Sequence, residues 1–162
     1  MNVPDMSRQE ALEELIQHGI SGTQVYLIDV FPLLEMMWAD GQVQQIEIAI
    51  LDQFLANHVD AINKQTGYVL LEHKDAHAFI APLIETQPDL QWLRQVRLLI
   101  PPLRFNSEYP EANRKAREFI LGVCLDIAAG AVKQYPYELT ERINADEKRC
   151  FFDILNTFGC GC

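Results

Sequence analysis

Apolar positions recur along this chain at helical spacing, block after block. Ala11, Leu12, Leu15 and Ile16 form the first stripe, after a capping-box signature at Ser7-Arg8-Gln9-Glu10 and before Gly19. Ser21-Gly22-Thr23 turns the chain into residues 25–39, which are apolar on nearly every side and broken only by Asp29, Pro32 and Glu35. A helix apolar all round belongs inside a protein. Pro32 predicts a bend in it, because proline removes one backbone donor. The segment stops at Ala39-Asp40-Gly41, where glycine can take the left-handed conformation that ends helices. A second stripe, Ile46, Ile50, Leu51, Phe54 and Leu55, runs on to about Asn63, with Gln65-Thr66-Gly67 as the break.

Residues 68–86 carry Val69, Leu70, Leu71, Phe79, Ile80, Leu83 and Ile84 and read as another helix. Pro88-Asp89 opens the next, through Leu90, Leu93, Val96, Leu99 and Ile100, and the Pro101-Pro102 pair is expected to end it. Residues 103–109 read as a linker. Pro110 then starts a long helix through Phe119, Ile120, Val123, Cys124 and Ile127 to Gly130. A polar loop, KQYPYELTERI, follows. Asn144-Ala145-Asp146-Glu147 is a capping box for a last helix with Phe151, Phe152, Ile154, Leu155 and Phe158. No strand pairs stand out. The pattern predicts a single all-α domain, a compact bundle of about seven helices.

The corner at 39–47 carries two acids, Asp40 and Glu47, seven positions apart. In one reading Glu47 is the N3 acid of a capping box begun at Gln44, and Gly41 is the helix stop. In the other, both acids turn toward one cation. Part of the stretch matches a calcium EF-hand loop, but that loop would put Met36 and Trp38 at ligand positions, so this is not an EF-hand.

Composition sharpens the picture. Nearly half the 162 residues (49%) are hydrophobic, which argues for a packed core rather than disorder. No apolar run is long enough to span a membrane, and the N-terminus lacks a secretory pattern, so a cytoplasmic chain is expected. Four cysteines, Cys124, Cys150, Cys160 and Cys162, fit neither a zinc ribbon nor a disulfide framework. Residues 1–60 hold ten acids and one base, and residues 61–162 thirteen acids and twelve bases. The net charge of −10 argues against nucleic acid as the main partner.

The two ends of the chain resemble each other. Ala39-Asp40-Gly41-Gln42-Val43 leading to Glu47 parallels Ala128-Ala129-Gly130-Ala131-Val132 leading to Glu147, with eleven extra residues in the second copy. Such a repeat implies an approximate two-fold in which the two corners approach each other. With these corners the sequence resembles the TerB family of bacterial tellurite-resistance proteins. The match of motifs is confined to the corners, and the architectural likeness covers most of the chain. The resemblance implies a compact all-α domain with internal pseudo-symmetry, non-catalytic, with clustered acids that bind divalent metal. It also implies a role in tellurite or chemical stress exercised through protein partners, a homodimer being one form such association takes. On that likeness Asp40 and Glu47 are the acids of the first corner and Glu147 that of the second. Ala129 stands where the second aspartate would be, and Asp126, three residues earlier on the same helical face, is its candidate substitute. Oxygen ligands favour Ca²⁺, Mg²⁺ or Mn²⁺.

Other residues invite chemistry. His73 and His77 share a helix face at i, i+4, the spacing of many zinc sites, yet read more readily as surface histidines. Cys160 and Cys162 in the tail are candidate soft-metal thiolates. Asp29 and Glu35, inside an apolar helix, call for partners, and Arg94, Arg97 and Arg104 are the candidate bases. Two further readings stay open: a structural interaction module whose acidic corners are helix caps, and a helical metalloenzyme in which Glu35 or His77 reaches the corner metal.

Overall fold

The computed structural model describes residues 6–105, 109–130 and 145–159. Among them the chain forms a compact all-α fold with no strand. The helices are α1 (Arg8–Gln17), α2 (Phe31–Trp38), α3 (Gln45–Thr66), α4 (His73–Glu85), α5 (Leu90–Arg97), α6 (Ile100–Arg104), α7 (Pro110–Gly130) and α8 (Ala145–Thr157). No helix among the described residues is long and apolar enough to cross a membrane.

Helix α2 is the centre of the assembly. Every one of its eight residues is buried, and it packs against α5, α7 and α8. Helix α3 packs on α7, and α7 on α8. The core around α2 is built from Phe31, Leu33, Leu34 and Met37 together with Leu51, Leu55, Val96, Ile120 and Ile154 from the surrounding helices. Two indoles fasten this centre to its shell. Trp38 Nε1 donates to the Leu83 carbonyl of α4 at 2.9 Å, and Trp92 Nε1 to the His18 carbonyl after α1 at 2.9 Å.

The expected bent helix over residues 25–39 is instead two elements. Gly22–Val30 is a 3₁₀ segment, and α2 begins afresh at Phe31. The cause is Pro32. In an α-helix its N–H would serve the Ile28 carbonyl; without it, Phe31 N–H takes that carbonyl in the tighter i→i+3 pattern. Pro32 thus lies in the first turn of α2, where a missing donor costs little. The same correction applies to Pro101-Pro102. The pair does not end α5, which stops at Arg97, but occupies the first turn of α6. The stretch expected as a linker therefore begins as helix, through Arg104.

Two boundaries also shift. Helix α3 runs to Thr66, three residues past the expected end, because Gly67 with φ +79° supplies its left-handed stop. Helix α4 starts only at His73. Tyr68 and Val69 are exposed, and Asn63 takes up the chain before α4, its side chain bonding the Leu70 and Leu71 backbone. The Ser7–Glu10 box and the long α7 stand as expected. The polar loop and the Asn144 cap lie outside the described residues.

Candidate functional site

The first corner forms as its residues dictate. Trp38 accepts from Gly41 N at 2.9 Å, and Gly41 sits at φ +83°. Asp40 Oδ1 accepts from Gln42 N at 3.1 Å, and Glu47 Oε1 from Gln44 N at 2.8 Å. Both acids therefore spend one oxygen on the local backbone. Glu47 is nonetheless unusual for a capping acid, because it is only 1% exposed. Burial pushes its carboxyl up to about 7 against the pull of the Gln44 amide, and the negative charges of Asp40 and Glu147 push it the same way. Glu147, in the first turn of α8, is itself buried. The structure thus brings Asp40 and Glu147 each within electrostatic reach of Glu47, although Glu147 lies a hundred residues beyond it.

Asp126 is exposed on α7 and is not among the charges acting on Glu47. The donor set fits a hard divalent cation in chemistry, being all carboxylate oxygen. In placement, no three metal-ligating side chains among the described residues close round one point.

The buried acids find the bases expected of them. Asp29 takes Arg104 Nε on both oxygens, at 2.9 and 3.1 Å. Glu35 Oε1 accepts from Arg97 Nη1 at 2.9 Å. Arg97 is fully buried and its other arm holds Asp153 of α8, which also accepts from Arg94 Nε at 3.0 Å. Asp153 was not legible as a partner, though Asp146, Cys150 and Asp153 recur at i, i+4, i+7 and so mark a polar face on α8. Burial pushes Glu35 up to about 7, with Arg97 pulling the other way. The two arginines outweigh burial at Asp153 and hold its carboxyl below the usual carboxylate range.

Elsewhere chemistry recedes. His73 is an exposed residue paired to Asp60 at 2.8 Å, and His77 is exposed on α4. Burial raises the Cys124 thiol well above its ordinary value and pushes Cys150 up to about 12, so both stay protonated and are poor nucleophiles. Cys160 and Cys162 lie outside the described residues. Arg114 is held on its own helix by Glu111 and Glu118.

The raised glutamates give a pH prediction. Between about pH 4.5 and 7 the folded chain keeps protons on Glu35 and Glu47 that the unfolded chain has released. Their contribution is therefore complete below pH 4.5 and is lost as the pH rises to about 7. Asp153 acts oppositely, with stability lost on acidification below its ordinary value of 3.8. Urea midpoints should fall from pH 5 to pH 7.5, and Glu47→Gln should flatten that fall. A midpoint that holds or rises over this interval would contradict the burial of the two carboxyls.

No family model matches the sequence, and no curated protein or solved structure matches it either.

Proposed function

We propose that this chain is a non-catalytic, TerB-like cytoplasmic protein whose acidic corner takes up a divalent cation and which acts through protein partners in tellurite or chemical stress. The observation that carries this reading is that the charges of Asp40 and of Glu147, far apart in the chain, both act on Glu47, which burial and these two neighbours force toward its neutral form. A cation of Ca²⁺, Mg²⁺ or Mn²⁺ type would relieve that repulsion, held by the carboxylate oxygens the backbone caps leave free. Asp126, exposed on α7, would join only as an outer contributor.

A second reading has its own support. The two backbone bonds to Asp40 and Glu47 suffice for helix capping, and a structural interaction module would need no more.

Thermal unfolding of metal-stripped protein separates them. An ion that binds only the folded chain, at about a hundred times its Kd, stabilises by about 2.7 kcal/mol. For a chain of this size that is a rise of roughly 5–10 °C. Millimolar Ca²⁺, Mg²⁺ or Mn²⁺ should produce it, and Asp40→Ala should abolish it. No rise with any of the three, nor with Zn²⁺, would sink the cation reading and leave the capping module.

A further inference from the structure

A cavity of about 680 Å³ opens between the 3₁₀ segment, α3 and α6, within the size range of small-molecule sites. Tyr26 comes from the 3₁₀ segment, His58, Ala61, Ile62 and Lys64 from α3, and Arg104 from the end of α6. None of the three corner acids lines it. Its charge runs against that of the chain. The protein carries a net charge of −10, yet the residues lining this cavity include two bases and no acid.

Arg104 is held there from one side only. Asp29, buried and not part of the lining, takes Nε on both carboxylate oxygens, at 2.9 and 3.1 Å. An arginine that meets a carboxylate fork to fork spends two nitrogens on it. Arg104 spends one, and its two terminal nitrogens have no hydrogen-bond partner among the described residues. Lys64 also makes no ion pair among them. A lysine in the last turn of a helix is at home beside the negative end of the helix dipole, which accounts for Lys64 alone. It does not account for the anchored guanidinium across the cavity. A fork held at its root by a buried acid has already lost much of its freedom, so a second carboxylate can take both terminal nitrogens at little further entropy cost. His58 is fixed as well: Nε2 donates to the Tyr26 carbonyl at 2.7 Å, and the ring stacks on Phe54 at 5.6 Å. Tyr26, Ala61 and Ile62 supply apolar surface.

We propose that this cavity binds a small monocarboxylate with an apolar body, its carboxylate on the terminal fork of Arg104 and on Lys64. The body lies against Tyr26, Ala61 and Ile62. Lys64 and Arg104 set against Asp29 leave one positive charge beside an uncharged His58. One carboxylate cancels that charge, and a phosphate dianion overshoots it.

The test is a titration of the full chain, in EDTA, with octanoate, 4-phenylbutanoate and indole-3-acetate, followed by calorimetry and amide shifts. EDTA keeps its outcome separate from the cation reading, whose test depends on added metal. At least one of the three should bind saturably. Acetate lacks the apolar body and 4-phenylbutylamine lacks the carboxylate, and each should bind about tenfold more weakly or not at all. Lys64→Gln and the occluding Ala61→Trp change exposed positions on α3 and leave the core intact, and each should weaken the carboxylate by about tenfold. Arg104→Lys keeps a charge for Asp29 but removes the free fork, and should weaken binding by at least as much. No saturable binding of any of the three up to about 10 mM, or binding that Lys64→Gln and Ala61→Trp leave unchanged, would overturn the proposal. Equal binding of 4-phenylbutylamine, or tighter binding of phenyl phosphate, would overturn it as well.

Discussion

Replacing Arg97 with alanine is expected to remove about 3–5 kcal/mol of folding stability, the range for breaking a buried ion pair from one side. Arg97 is 1% exposed and serves two acids that approach it from different helices, Glu35 of α2 and Asp153 of α8. The two would not suffer equally. Asp153 keeps Arg94 and is half open to water, whereas Glu35 would be left buried with an uncompensated charge. The loss should therefore be smaller at pH 5, where Glu35 can stay protonated, than at pH 8. Arg97→Lys should fall between, since a single ammonium cannot reproduce the fork that spans both acids. The double variant Arg97→Met/Glu35→Leu should recover much of the stability, because an apolar pair of similar volume needs no desolvation. Urea denaturation at the two pH values checks all of this. A loss under about 1 kcal/mol for Arg97→Ala would mean that water reaches Glu35 freely.

Phe31→Ala should be comparably severe, at about 3–5 kcal/mol. Phe31 opens α2, is fully buried, and meets Trp92 edge-on at 5.3 Å and Phe79 at 6.5 Å between ring centroids. Its removal leaves a cavity at the junction of α2, α4 and α5 that the surrounding helices cannot collapse to fill. It also loosens Trp92, whose indole bond to the His18 carbonyl ties α5 to the end of α1. Phe31→Leu keeps most of the volume and should cost about half as much or less. Chemical denaturation gives the first figure. Binding of an apolar probe such as benzene by Phe31→Ala, absent from the parent, would report the cavity itself.

How much of this was legible in the sequence follows from the range of each interaction. Capping signals act over three residues, so Ser7 with Glu10 and Gln44 with Glu47 could be read directly. Helical stripes act over a few turns, so α1, α3, α7 and α8 stood out. Prolines misled, because a proline in a first turn and one that breaks a helix look the same in a string of letters. Only the use made of the Ile28 carbonyl tells them apart at Pro32. Buried charges announced that they needed partners, and of the three candidate arginines Arg97 and Arg104 take Glu35 and Asp29, while Arg94 pairs with Asp153 instead. Which acid meets which arginine spans 62 residues for Arg97 with Glu35 and 75 for Arg104 with Asp29, and helical periodicity carries no information at that range. Asp153 was missed for the same reason. The action of Glu147 on Glu47 spans a hundred residues and lies equally beyond the reach of helical periodicity.

The cation reading turns on the state of one carboxyl. The most direct measurement is a ¹³C NMR titration of the Glu47 side chain, metal-free and then with about 5 mM Ca²⁺ or Mg²⁺. Without metal it should titrate at about 7, held up by burial, Asp40 and Glu147. With the ion present it should titrate at least about one unit lower, since a bound cation favours the ionised form, and Asp40→Ala should erase that displacement. A Glu47 carboxyl that titrates identically with and without the ion would contradict a cation at the corner.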